Sequence, residues 1–295
     1  MYNMQSIFNF FCYNSKNDVK KNVLTKNTNP TLGILRLDYD YPAAPGDIDY
    51  PGTFNYKVLY RVIPGLTFEM CQNGNLTRQV INNCKNAVEF LNDNNVCGIT
   101  GDCGFMVNIQ DIVVKYTEKP VFLSSLIQIP SIVNTFYKNE KIAIFTANSE
   151  TLTPVMSKIE KKWNQIKNSD RLIIIGCQDV PGFQAVAEGK KVNVEKVTPG
   201  IVKKAKQLVA KDKNIRCILL ECTELPPYAD SLRKELNLPV YDAITNCDSF
   251  MSGFLDNKKF GDNDWQDEWD GIQEEYQFGG NLSKREKKNL VNKVD

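Results

Sequence analysis

The sequence predicts an α/β fold of two similar lobes, each a parallel β-sheet flanked by helices. Short runs that are apolar on both faces recur along the chain, as in buried parallel strands. Stretches with apolar residues at helical spacing lie between them. The order of a strand, a polar loop and a later strand ending in a cysteine occurs twice. Such alternation is typical of parallel sheets covered by helices.

The individual elements follow from these patterns. The predicted strands are residues 32–37, 96–100, 121–124, 142–146, 172–176, 218–221 and 239–241. One apolar stripe predicts a helix through Val80, Ile81, Cys84, Ala87, Val88 and Leu91. A second stripe predicts a helix through Ile201, Val202, Ala205, Leu208 and Val209.

The lobes predict the domain organisation. We expect the first lobe to span 31–139 plus 240–282 and the second to span 140–239, with a frayed tail at 283–295. Residues 1–30, rich in Asn and Lys, are expected to form a disordered extension, because the apolar patch at 7–12 is short and lacks a preceding basic segment. No apolar run approaches the ~20 residues that span a bilayer, and we expect a cytoplasmic protein.

Composition excludes several functions. Lys+Arg is 36 and Asp+Glu is 35, so no excess charge attracts nucleic acid or an anionic membrane. Nine cysteines, an odd number, in so long a chain argue for free thiols rather than a disulfide scaffold. Histidine is absent, which makes a metal site improbable and removes Ser-His and Cys-His catalysis. Proton chemistry would therefore fall to Cys, Asp, Glu, Lys or Tyr.

Two cysteines stand where ligands bind in open α/β sheets. Cys103 and Cys222 each follow a predicted strand, one in each half, at the carboxyl edge of the sheet. Facing halves would put them on opposite sides of one cleft. The alternative is a buried core thiol, since free cysteine is among the most buried residue types. That interpretation is preferred for the remaining cysteines in strands or stripes, Cys84, Cys97, Cys177 and Cys217, and also favoured for Cys71 and Cys247.

The residues around Cys222 carry a family resemblance. LECTELP at 220–226 resembles the Cys-Thr-Glu motif at the second catalytic cysteine of aspartate and glutamate racemases, and IAIFTANS at 142–149 resembles the loop opening their second lobe. Two blocks depart from those racemases. Residues 36–52 replace their Gly-rich turn, and Gly104-Phe105 replaces the Asn-Thr that usually follows their first cysteine.

The departing blocks are similar to the algal dimethylsulfoniopropionate lyases, a branch of the same superfamily. The similar stretches are DYDYP at 38–42, PGDID at 45–49, GDCGF at 101–105, ECTELPPY at 221–228 and the late Phe260-Gly261…Asn263-Asp264-Trp265. The resemblance covers residues 31–260 and implies a cofactor-independent enzyme that removes a proton next to a carboxylate. Cys103 and Cys222 would be its catalytic thiols.

The resemblance leaves three functions open. The preferred one is β-elimination from dimethylsulfoniopropionate, giving dimethyl sulfide and acrylate. The others are an aspartate/glutamate racemase and a non-catalytic small-acid binding protein. Each implies a small carboxylate ligand, either a sulfonium carboxylate or an acidic amino acid. We further expect a homo-oligomer, a dimer or tetramer, with no nucleic acid or membrane partner.

Further site residues are expected around the two thiols. A substrate carboxylate would be held by Thr223 and the amides after Cys222, because strand-to-helix turns bind anions. The other expected substrate-binding residues are Thr146, Asn148, Ser149, Tyr39, Tyr41 and Asp38. Asp102, Glu221 and Glu224 flank the thiols and could orient them or relay protons, although their charge opposes thiolate formation.

The loop at 38–54 has two interpretations. Tyr39, Tyr41 and Tyr50 with Phe54 could form an aromatic cage for a cation, or could simply pack against the opposite lobe. The loop's four aspartates could hold a hard cation, but a solvated or substrate-facing loop is preferred. Trp265 and Trp269 would form a lid or anchor a C-terminal segment, and the resemblance places residues 65–70 near the cleft.

Overall fold

The computed structural model describes residues 30–163, 166, 170–185 and 187–255. The chain divides into two compact units, Met1–Asp256 and Asn257–Asp295, and every described residue belongs to the first. The predicted N-terminal extension, the C-terminal tail, Phe260, Trp265 and Trp269 therefore lie outside the described residues. Among the described residues, no helix combines the length and apolarity needed to cross a bilayer.

The first sheet has three parallel strands in the order β2-β1-β3. They are β1 (Thr31–Arg36), β2 (Lys57–Val62) and β3 (Gly98–Gly101). The prediction of a strand at 121–124 was wrong. Only Val121 forms a bridge, to Ile99, and the chain then enters a 3₁₀ helix at 125–128.

The second sheet has four parallel strands in the order β5-β4-β6-β7. They are β4 (Lys141–Thr146), β5 (Leu172–Gly176), β6 (Ile215–Leu220) and β7 (Val240–Tyr241). All four correspond to predicted strands. Together the two parallel sheets confirm the predicted α/β class.

Helices flank both sheets. They are α1 (Phe68–Asn73), α2 (Arg78–Asp93), α3 (Gln110–Val113), α4 (Ile129–Thr135), α5 (Ser149–Lys162), α6 (Val194–Lys211), α7 (Ala229–Leu236) and α8 (Ala243–Met251). The helices predicted from the two stripes are α2 and α6. Thr77 caps α2 by accepting from the Val80 amide at 3.2 Å, and Asn193 caps α6 by accepting from the Lys196 amide at 3.0 Å.

The largest hydrophobic core is shared by the two sheets. It contains Leu35 and Ile99 from the first sheet together with Ile142, Ile144 and Leu219 from the second. Burying each such side chain contributes roughly 1.5–3 kcal/mol. A shared core of this size fixes the carboxyl ends of β3 and β6 relative to each other.

Two smaller cores cover the outer faces. One lies against the second sheet and includes Cys222, and the other joins Leu32 and Phe122 to Cys247 of α8. The chain thus returns to the first sheet through α8, directly after β7 has paired with β6 in the second. The lobe boundaries at 139/140 and 239/240 stay a prediction.

Candidate active site

Two strand ends bring Cys103 and Cys222 to one cavity. Cys103 follows β3 and is the N-cap of a 3₁₀ helix, Gly104–Ile109, while Cys222 follows β6. The cysteines are only 6% and 8% exposed. The cavity has a volume of about 380 Å³ and is lined by Phe68, Gln72, Cys103, Gly104, Phe105, Ala147, Asn148, Thr151, Gln178, Phe183, Gln184, Ala187, Glu221, Cys222, Thr223 and Glu224.

A hydrogen bond joins the two cysteine loops. The Thr223 hydroxyl donates to the backbone carbonyl of Asp102. The Asp102 carboxylate in turn accepts from the Leu37 amide at 3.1 and 3.0 Å and lies 3.8 Å from the Arg36 guanidinium. Asp102 therefore anchors the first cysteine loop to the residue that follows β1. The donated Thr223 proton is used in this link, so a substrate would meet only the acceptor side of that hydroxyl.

Two glutamates complete the wall near Cys222. The Cys222 thiol donates to Glu224 Oε2, and Thr146 Oγ1 donates to Glu221 Oε2 at 2.7 Å. Burial raises the pKa of Glu221 to about 7, against the opposing effect of the Thr146 hydrogen bond. Burial also raises the pKa of Glu224, and the bond from Cys222 offsets this only in part. Glu221 can therefore exchange a proton near neutral pH.

The surroundings of both cysteines favour the thiol over the thiolate. Burial raises the pKa of Cys103 and of Cys222 well above the ordinary value. Neighbouring groups raise these pKa values further. For Cys222 the strongest neighbour is Glu224, and for Cys103 it is Cys71, followed by Asp102. Of the residues that the structure describes, no Lys or Arg lines the cavity. A thiolate therefore forms only when a positive charge enters or a carboxylate accepts the proton.

Glycine at position 104 allows the two loops to approach closely. A Cβ atom there would overlap with Glu221 Oε1 and lie 2.5 Å from the Glu221 carbonyl oxygen. No other residue type fits without moving the Glu221 backbone. The Gly-Phe that replaces the racemases' Asn-Thr is thus explained by Glu221, and Phe105 adds apolar lining.

The three residues predicted to bind substrate at the end of β4 and just after it differ in how they reach the cavity. Asn148 lines the cavity and caps α5 by accepting from the Glu150 amide at 2.9 Å, so its amide nitrogen is the part that could donate to a ligand. Thr146 is fully buried and reaches the cavity only through Glu221. Ser149 does not line it, and its hydroxyl accepts from Gln178 at 3.2 Å.

The tyrosines in the loop after β1 do not themselves line the cavity. Tyr39, Tyr41 and Asp38 are not among the lining residues. The Tyr39 ring stacks on Tyr41 at 6.0 Å and meets Phe68 edge-on at 4.9 Å, and Phe68 lines the cavity. Asp38 accepts from the Gly65 amide at 2.8 Å. Tyr39 thus reaches the cavity wall through Phe68, whereas Tyr41 lies near Glu224, a lining residue that raises the pKa of Tyr41 further after the larger effect of burial.

The aspartates of this loop contact protein groups. Asp47 accepts from the Tyr41 hydroxyl at 2.8 Å, and Asp49 forms an ion pair with Arg36 at 3.0 Å. In the described ranges, no group of His, Cys, Asp or Glu is arranged to hold a metal ion. Phe54 packs with Tyr56 at 5.5 Å in a different core from Tyr39. The four-membered aromatic cage is therefore not assembled.

Several lining residues were missed from the sequence. Gln178 comes two residues after β5, so the strand-end argument that found Cys103 could also have found it. Gln72, Thr151, Phe183 and Gln184 gave no comparable signal, because they lie within helices or on the long loop after β5.

Fold and site together define a two-lobed α/β protein in which paired strand-end cysteines and two buried glutamates share one cavity. The chain belongs to the dimethylsulfoniopropionate lyase family. It is 52% identical over 267 residues to dimethylsulfoniopropionate lyase 7 of Emiliania huxleyi (strain CCMP1516), covering 89% of this chain and 78% of that protein. It is 47% identical over 258 residues to the dimethylsulfoniopropionate lyase of Durusdinium sp. clade D, covering 87% and 86%. The resemblance inferred from the motifs is confirmed.

Other comparisons add less. No protein-family model matches the chain. Among solved structures, Picrophilus torridus aspartate racemase is similar at a TM-score of 0.48 and 13% identity, covering 77% of this chain and 94% of that one.

Proposed function

We propose that this protein is a carbon–sulfur lyase that converts dimethylsulfoniopropionate into dimethyl sulfide and acrylate. One observation carries the proposal within this family: the cavity combines two thiols and two carboxyls with no described Lys or Arg. Such a wall favours a cationic substrate. The curated relatives that match the chain are named for this sulfonium substrate.

The positive charge of the substrate also explains how a thiolate can form in a site that otherwise favours the thiol. A sulfonium bound beside a thiol favours the thiolate, because an opposite charge nearby lowers a thiol pKa. It offsets the negative charge of the Glu224 carboxylate in the same way. The substrate thus brings the positive charge that the described cavity wall lacks, and this restricts the reactive thiolate to the complex.

The reaction requires one base. A thiolate takes the proton from the carbon next to the carboxylate, the C–H electron pair becomes the second bond of acrylate, and the C–S pair leaves with sulfur. Dimethyl sulfide departs neutral and needs no acid. The second thiol is then free to donate to the substrate carboxylate as negative charge builds there.

The contacts favour Cys222 as the base. Its thiol already donates to Glu224, so that carboxylate can accept the proton and leave a thiolate. Cys103, on the facing loop, directly precedes Gly104, which approaches the Glu221 carboxyl. Its role in the proposal is hydrogen bonding to the substrate carboxylate.

Headspace detection of dimethyl sulfide tests the proposal directly. The purified protein should release sulfide and acrylate in equal amounts, and should leave L-aspartate and L-glutamate unracemised in a chiral assay. Racemisation without sulfide would identify a racemase. Binding of a small acid without sulfide, and without entry of deuterium from D₂O into its carbon, would identify a binding protein.

A homo-oligomer in the cytoplasm remains part of the proposal. Light scattering on the eluted protein would measure the mass, and a value equal to the monomer's 33.5 kDa would contradict the oligomer.

A further inference from the structure

One buried carboxyl in the cavity has an unused oxygen. Glu221 is only 1% exposed, and its Oε2 atom accepts from Thr146. Its Oε1 atom is buried and has no hydrogen-bond partner among the described residues. Glu221 lines the cavity, and its Oε1 atom occupies the space that a side chain at position 104 would fill.

The surroundings of Glu221 disfavour its charged form. The ionisable groups that face it are Glu224, Cys222 and Cys103, which carry either no charge or a negative one. Thr146 donates a single hydrogen bond. A buried carboxylate with one neutral donor and no cation is poorly stabilised, whereas the acid form carries a proton that Oε1 can donate.

We propose that Glu221 binds the substrate as a neutral carboxylic acid, donating from Oε1 to one oxygen of the substrate carboxylate. The proposal rests on the proposed function only for the presence of a carboxylate in the ligand. It accounts for the unpartnered oxygen and for the glycine at 104 that makes room for it. It also explains why the described lining includes no Lys or Arg to bind a carboxylate.

The donated hydrogen bond strengthens during the reaction. When the α-proton leaves, negative charge accumulates on the carboxylate oxygens. A fixed donor then stabilises the transition state more than the bound substrate. A neutral acid does this without the strong ground-state attraction of an Arg, which would also repel the sulfonium.

Protonated Glu221 makes binding depend on pH in a defined direction. Its pKa of about 7 means that the free site is mostly ionised at pH 8. Binding of a carboxylate must then take up a proton. The affinity should fall by about 50-fold from pH 7 to pH 9 if only the acid form binds.

The test uses a ligand that cannot react. In 3-(trimethylammonio)propionate, an amine that leaves far less readily replaces dimethyl sulfide, while the charge and carboxylate remain. Calorimetric titration at pH 8 in two buffers of different ionisation enthalpy measures the protons taken up. The wild type should take up about one proton more than Glu221→Gln, whose amide donates without titrating. The variant's affinity should stay within about threefold from pH 7 to pH 9.

Other results would overturn the proposal. If both proteins take up equal numbers of protons, or if their affinities fall in parallel as the pH rises, the proton taken up on binding belongs to a group other than Glu221. A folded Glu221→Gln that binds at no pH would mean that the ionised carboxylate is needed. Thermal unfolding of the variant checks the fold.

Thr146→Val provides the second variant. It removes the bond that favours the ionised form, so the midpoint of the affinity decline should move to higher pH, and an unmoved midpoint would count against the role of Glu221. All these experiments measure binding and do not depend on turnover. Proton uptake without sulfide release would therefore reject the lyase activity and support the role of Glu221. Sulfide release without proton uptake would support the lyase activity and reject the role of Glu221.

Discussion

Replacing Gly104 with alanine should separate the two cysteine loops. The added Cβ would lie 2.5 Å from the Glu221 carbonyl oxygen, whereas ordinary van der Waals contact begins at 3.4 Å. The backbone must therefore shift by about 0.9 Å, and a misplacement of about 1 Å costs about 100-fold in rate. Overpacking of this kind destabilises by about 1–3 kcal/mol.

The assay combines sulfide release with thermal unfolding. We expect kcat/KM for dimethylsulfoniopropionate to fall about 100-fold while the variant stays folded at 25 °C. Each kcal/mol should lower Tm by about 2–4 °C in a chain of this size. Gly253→Ala is the matched control, since a Cβ there meets nothing within 4 Å. Near-normal activity of Gly104→Ala would refute the idea that the fixed spacing of the loops matters for turnover.

Three further results are expected. Cys103→Ser and Cys222→Ser should each lower sulfide release at least about 1000-fold with little change in Tm, because serine is too weak an acid to replace the thiol; near-normal turnover by either would end the two-thiol mechanism. Glu224→Gln should lower kcat about 100-fold and remove the loss of activity at low pH, since Glu224, whose pKa burial raises, accepts a proton only when ionised; an unchanged pH profile would exclude it. Glu221 is protonated in the folded state up to a pKa of about 7 but ionises near 4.5 when unfolded, so its contribution to stability is present at low pH and lost as pH rises through that range. Urea unfolding should therefore show Glu221→Gln gaining about 2–4 kcal/mol on the wild type between pH 4.5 and 7.5, and a constant difference would contradict the raised pKa.

Strands that are continuous apolar runs could be predicted from the sequence, while β2, an edge strand with charged residues, could not. The central strands β1 and β4 are continuous apolar runs, so their burial can be predicted from their residues alone. Strand β2 was missed because Lys57 and Arg61 interrupt its apolar residues, as an edge position allows. At 121–124 the reverse occurred: a largely buried apolar run lies beside β3 but pairs with it only at Val121.

The site shows the same division. Cys103 and Cys222 could be found because a cysteine after a strand is a local pattern, and the family motif supports it. The protonation state of Glu221 could not be predicted from the sequence. It depends on the close approach of Gly104, which belongs to a loop over a hundred residues away in sequence. Gln72 reaches the cavity through the path of the chain after β2, which no short pattern specifies.

The core shared by the two sheets has a consequence for biosynthesis. When the ribosome has completed β3, Leu35 and Ile99 are already present, but Ile144 and Leu219, which belong to the same core, are not. The emerging chain therefore carries uncovered apolar surface until β6 has been made, more than two thirds of the way along the sequence. The shared core is therefore completed late in translation, and the apolar surface left exposed until then is a site for aggregation of the nascent chain.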